Sequence, residues 1–296
     1  MTGKEEIKAT ALARIFSATV VKELALRGCS PAFARLLKES GLRLDPHSTD
    51  GIGAVFDQAF AQLKRRSHRH EYIYKAALTK KVLLGTHSLQ TASMATEFRV
   101  GRCKADVVIF NGTGTVYEIK SERDSLTRLA DQVEAYSRVF AAVNVIVGEN
   151  HLYGVEACVP DYVGVMVLSN RFQISTLRAA VDDPDRTDPA AIFDSINQRE
   201  AGLMLQAVGV SLPEIPNTQR YGALREKFLT LDPKTAHRQM VECLKRTRSL
   251  SPLSSVLDSV PESLYAAIIS TPMNRREQDR LIGSLRTPIC EAVAWA

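Results

Sequence analysis

The five cysteines, Cys29, Cys103, Cys158, Cys243 and Cys290, are an odd and widely spaced set with no Cys-x-x-Cys pair. This spacing argues against a disulfide framework or a zinc site, and it suits a reducing, cytoplasmic setting. No run approaches the roughly eighteen apolar residues that a membrane span requires, so no membrane association is expected. The opening MTGKEEIKAT carries charges where a signal peptide would carry an apolar core. His68, His70, His87 and His151 do not fall at metal-ligand spacing, and no serine sits in a nucleophile-elbow pattern. Internal repeats and low-complexity tracts are also missing.

What remains is ordinary globular composition, 45% hydrophobic and 24% charged, with enough chain for a large core. The net charge of +5 is compatible with a polyanionic partner but equally with a mildly basic soluble protein. Three regions follow from the patterning. Residues 1–62 read as a helical extension: apolar residues recur at helical spacing from Ile7 to Val20, Ser30-Pro31 opens a second helix that Gly41 stops, a polar connector spans 44–53, and a further helix begins at Ile52. Residues 63–175 read as an α/β core. Residues 176–296 read as several proline-interrupted helices behind a polar linker, with Thr187-Asp188-Pro189 opening the first. The basic run from Lys64 to His70 is either a solvated helix end or a phosphate-contacting patch. The clusters around Lys245 and Arg275 read as solvated helix faces or as grips on nucleic acid.

Within the core, the stretch Glu97–Lys120 draws the chemistry together. Val116-Tyr117-Glu118-Ile119-Lys120 alternates with a period of two, which puts Glu118 and Lys120 on one face of a strand. Asn111-Gly112 is a strong hairpin signal, and closing the chain there brings Asp106 opposite Glu118. Two carboxylates and an ammonium then converge. Carboxylates at that range repel unless a cation lies between them, and hard oxygen ligands suit Mg²⁺ or Mn²⁺. A helix from Glu71, an amphipathic helix over 121–140 carrying Arg128 and Gln132, and apolar strands at 143–147 and 163–168 complete the pattern.

Asp106 followed by Glu118-Ile119-Lys120 resembles the signature of the PD-(D/E)XK nuclease superfamily, with Ala105 where the naming proline would stand. The block from about 70 to 147 is more specifically similar to a bacterial branch met in prophage and defence settings. The resemblance implies a restriction-endonuclease-like fold, a mixed β-sheet flanked by helices, here with N-terminal and C-terminal helical extensions. It implies metal ligation by Glu71, Asp106, Glu118 and the carbonyl of Ile119. Lys120 would orient the attacking water, Gln132 would belong to the catalytic network, and Arg99, Lys104 and Arg128 would hold substrate. Ser121, Asp124 and Tyr136 would support them.

The function expected on that resemblance is Mg²⁺-dependent phosphodiester hydrolysis of nucleic acid, DNA rather than RNA, in phage defence or mobile-element conflict. A homodimer would suit cleavage of two strands. The alternative is a catalytically inactive module of the same fold that binds nucleic acid or a protein.

Overall fold

A computed structural model describes residues 3–44, 50–65, 68–211 and 216–295. Part of the polar connector (45–49), Arg66 and Ser67 of the basic run, and the segment around Pro213 (212–215) lie outside the described residues. Helices α1 (Gly3–Arg14), α2 (Ala18–Arg27), α3 (Pro31–Ser40) and α4 (Ile52–Leu63) precede the sheet. Ser30 caps α3 by accepting from the Phe33 amide, Pro31 stands in its first turn, and Gly41 closes it in the left-handed conformation. Helix α5 (Glu71–Leu78) continues through a π turn (Thr79–Leu83) into the short α6 (Leu84–Thr86).

The sheet has six strands in sequential order: β1 (Ser93–Val100), β2 (Cys103–Asn111), β3 (Thr113–Lys120), β4 (Ala142–Val147), β5 (Gly164–Leu168) and β6 (Ile174–Arg178). β1, β2 and β3 pair antiparallel; β4 and β5 run parallel to β3, each after a helical crossover, and β6 returns antiparallel. The crossovers are α7 (Leu129–Ser137) and α8 (Leu152–Cys158). The fold is therefore mixed α/β, a six-stranded mixed sheet flanked by helices.

Two hairpins organise the first half of the sheet. Asn111 pairs with Thr113 around Gly112 at φ +70°, a conformation that favours glycine. A second turn at Gly101-Arg102 separates Arg99, on β1, from Lys104, on β2. The expected helix over 121–140 begins only at Leu129, because Asp124 Oδ2 accepts from both the amide and the hydroxyl of Ser121 (2.7 and 2.6 Å) and holds the preceding residues in turns. β6 was not foreseen, and it straddles the expected boundary at 175.

Helices α9 (Pro189–Ser195), α10 (Gln198–Ala207), α11 (Asn217–Phe228) and α12 (Pro233–Thr247) follow, then α13 (Ser254–Leu257), α14 (Tyr265–Ile269), α15 (Arg275–Ser284) and α16 (Ile289–Ala292). They divide between the two faces of the sheet. α9 to α12 share an apolar cluster with α7, Val116 and Val145, whereas Val256, Ile268, Leu281 and Ile289 pack with α1 to α5 and with Val107 and Ile119. The N-terminal and last C-terminal helices thus pack on one face, where Gly51 bridges Pro288. Of the basic run, Arg69 is withdrawn from solvent: it is 1% exposed and donates to the carbonyls of Lys64, Leu168 and Ser169.

His237 fastens α12 to the sheet. Its Nε2 accepts from the amides of Gly114 (3.3 Å) and Ala141 (3.4 Å), and a Cβ at Gly114 would stand only 3.1 Å from that nitrogen. Burial, which disfavours the charged ring, lowers its pKa to about 4. The depressed value means that this contribution is complete above the unfolded value of 6.5 and fades as pH falls toward 4. Wild type should therefore lose about 2.5 kcal/mol more between pH 7 and 4.5 than His237→Gln, whose side chain does not titrate. Urea unfolding at the two pH values measures this, and equal losses would contradict it.

Candidate active site

Pairing between β2 and β3 stops at Val107 and Tyr117, so the next two residues in register, Asp106 and Glu118, stand where the strands part. Asp106 fills the gap: its Oδ2 accepts from the Ile119 amide at 2.7 Å, replacing a backbone partner with a carboxylate. Beyond this fork lies a cavity of about 590 Å³. Glu71, Asp106, Glu118, Ile119, Lys120, Gln132, Lys104 and Arg128 all line it. Eight of the nine residues expected to ligate metal, catalyse or hold substrate thus meet in one cleft. Arg99 is the exception: it pairs with Lys104 in register, but its exposed side chain donates to the Gly101 carbonyl (3.4 Å).

One half of the cleft is a closed hydrogen-bond network. Glu118 and Lys120 are 2% and 6% exposed, and Lys120 Nζ lies 2.9 Å from Glu118 Oε1. Gln132 joins them from α7, accepting from Lys120 Nζ at 2.8 Å and donating to Glu118 Oε1 at 2.6 Å. The Tyr136 hydroxyl faces both Glu118 Oε2 (2.9 Å) and the Lys104 carbonyl (2.8 Å), and its single proton serves one of them at a time. Burial pushes the Glu118 pKa up, opposed by Lys120, Tyr136 and Gln132.

The other half is acidic. Oxygens of Glu71, Glu97 and Asp106 lie within 4.8 Å of one another, a hard-oxygen set that could hold a divalent cation. Burial, then the charges of Glu118 and Glu71, raise the Asp106 pKa to about 8. Lys75 Nζ stands between two of the three, 2.5 Å from Glu71 and 3.0 Å from Glu97. Burial alone would lower its pKa, but those two carboxylates outweigh burial and raise it.

Glu97 escaped the sequence reading. It takes the place on β1 opposite Asp106, between the pairs Thr96–Val107 and Phe98–Ala105, with φ +54° in mid-strand. That left-handed residue interrupts the ladder and brings its carboxylate to the trio, which contains Glu97 in place of the expected Glu118. Recognising the Gly101-Arg102 turn would have aligned Glu97 with Asp106. Arg102, also unforeseen, lines the cleft.

Residues 64–247 match the family described as bacteriophage P4 protein cII. The chain belongs to the bacteriophage P4 protein cII family. The match runs from the end of α4 through the whole sheet to the end of α12, so every residue of the cleft falls inside it. A phage-derived family agrees with the expected prophage setting. No curated protein and no solved structure matches the chain. No helix among the described residues is long and apolar enough to cross a membrane.

The buried Glu118–Lys120 pair gives a direct test of the network. Lys120→Met leaves Glu118 without its counter-charge and should destabilise the protein by about 3 kcal/mol at pH 8, whereas Glu118→Gln with Lys120→Met should recover most of that loss. Chemical denaturation of wild type, Lys120→Met, Glu118→Gln and the double variant reads the coupling; additive losses would show that the pair is not an energetic unit.

Proposed function

We propose that this P4 cII family member is a metal-dependent nuclease of the PD-(D/E)XK type acting on DNA. The observation that carries the reading is the fork at Asp106 and Glu118, with Lys120 two residues on and Gln132 reaching in from the crossover helix. Helix, three antiparallel strands, crossover helix and parallel strand is the order that a restriction-endonuclease-like core requires, which supports the same reading.

The donor set fits a hard divalent cation such as Mg²⁺ or Mn²⁺. Asp106 and Glu71 would hold it with Glu97, while Glu118 and the Ile119 carbonyl adjoin as the ligands expected from the sequence motif. Such an ion would supply Lewis-acid activation of water and charge neutralisation at the phosphodiester. Lys120, fixed by Glu118 and Gln132, presents an ammonium whose remaining proton can hold a water or an anionic oxygen. Lys104, Arg102 and Arg128 place cations around the cleft, where they would hold phosphates flanking the scissile one. A catalytically inactive nucleic-acid-binding module is the second reading. The intact Asp106, Glu118 and Lys120 constellation weighs against it.

Incubation of plasmid, linear and single-stranded DNA, and RNA, with Mg²⁺, Mn²⁺ or EDTA tests the activity. Metal-dependent DNA cleavage by wild type, reduced at least about 100-fold in Asp106→Ala and Lys120→Ala, is the expected result. Cleavage indifferent to both substitutions, or none under any condition, would overturn it.

Lys75 gives a second test, read without turnover. Because its ammonium neutralises Glu71 and Glu97, it competes with any divalent ion for those oxygens. Mn²⁺ should raise the melting temperature of wild type but not of Asp106→Asn, and Lys75→Met should bind Mn²⁺ more tightly than wild type by calorimetry. Weaker binding by Lys75→Met would refute the competition.

A further inference from the structure

A second cavity, of about 400 Å³, adjoins the cleft, and the two share Glu71 and Asp124 in their walls. It lies between the end of α1 and the start of α5, and its wall carries Arg14, Arg123 and His70. Arg14 is exposed in the last turn of α1. Arg123 pairs with the largely exposed Glu6 at 3.7 Å, a contact that solvent screens and a stronger anion could displace. His70 Nε2 is buried with no hydrogen-bond partner among the described residues. Part of the lining is aromatic: Tyr72 stacks on Phe16 with ring centroids 4.3 Å apart, and its hydroxyl is held by the Ser263 carbonyl.

The two acidic residues at the junction are already engaged, Asp124 by Ser121 and Glu71 by Lys75. The cationic side chains therefore stand on both sides of the carboxylate centre, Arg102, Lys104 and Arg128 in the cleft and Arg14 and Arg123 in the adjoining cavity. A small anion would occupy one side only. An extended polyanion with flat bases matches both sides and the aromatic lining between helices.

We propose that this cavity receives the DNA strand on one side of the scissile phosphodiester, with Arg14 and Arg123 on a backbone phosphate and the Tyr72 wall against the neighbouring base. The inference rests on the nuclease reading for the position of the scissile bond. It makes the N-terminal helices part of the substrate-binding surface.

The test uses the Asp106→Asn protein, so that cleavage does not compete, and fluorescein-labelled DNA, single-stranded and duplex, over a range of salt concentrations. Adding Arg14→Gln should weaken DNA binding by roughly three- to ten-fold and reduce the slope of log K against log salt by about 0.7 to 0.9, with no change in melting temperature. Adding Arg123→Gln as well should deepen both effects. Unchanged affinity and slope in the double substitution, or no DNA binding by the parent protein, overturns the proposal. Binding of RNA alone also overturns it and makes RNA the partner. Wild-type DNA cleavage with binding indifferent to Arg14 would sink the cavity assignment and leave the nuclease reading standing. A slope that falls with Arg14→Gln while no nucleic acid is ever cut would keep the DNA contact at Arg14 and sink the nuclease reading, and with it the placement beside a scissile bond.

Discussion

Everything at the site depends on one constraint: β2 and β3 carry carboxylates at the point where their ladder must end. Asp106, half-buried, and Glu118, buried, fall opposite each other in register, and carboxylates so placed repel. The strands part there, and each acid takes a different partner. Asp106 caps the Ile119 amide that the lost pairing exposes, and Glu118 turns to Lys120, Gln132 and Tyr136. The fork that relieves the repulsion is also what opens the cleft.

From that fork the two faces of the sheet acquire separate tasks. On one, α7 supplies Gln132 and Tyr136, which fix the Glu118–Lys120 pair; α12 packs the same layer and is fastened by His237 at the far ends of β3 and β4. On the other, α5 brings Glu71 and Lys75 to Asp106, with the N-terminal and last C-terminal helices packed behind it. The site lies where these layers meet, which is why residues from α5, β1, β2, β3 and α7 converge on it. The family match covers this convergence and stops at the end of α12.

Much of this was legible because strand periodicity is simple. Alternation through Val116–Lys120 and the Asn111-Gly112 turn fixed the face of Glu118 and Lys120 and the return of Asp106. Glu97 was not legible, since Glu-Phe-Arg-Val reads as regular strand and nothing local announces a left-handed residue. The shortened α7 depended on the Asp124 side chain competing with helical hydrogen bonds around Ser121, a contest that amphipathic spacing does not reveal. β6 was missed because its residues are mostly exposed and lack apolar alternation. The split of the C-terminal helices between two faces is a matter of tertiary packing, invisible to helix periodicity.

We propose that the repulsion among these carboxylates is balanced by a cation, Lys75 when no metal is bound and a divalent metal when one is. The most direct measurement is a crystal structure grown with Mn²⁺, with anomalous scattering recorded above the manganese edge. A single strong peak against the Asp106 carboxylate, with the Lys75 ammonium drawn away from Glu71 or Glu97, is the predicted result. A map with no peak there at millimolar Mn²⁺, and Lys75 still bridging the two glutamates, would contradict it.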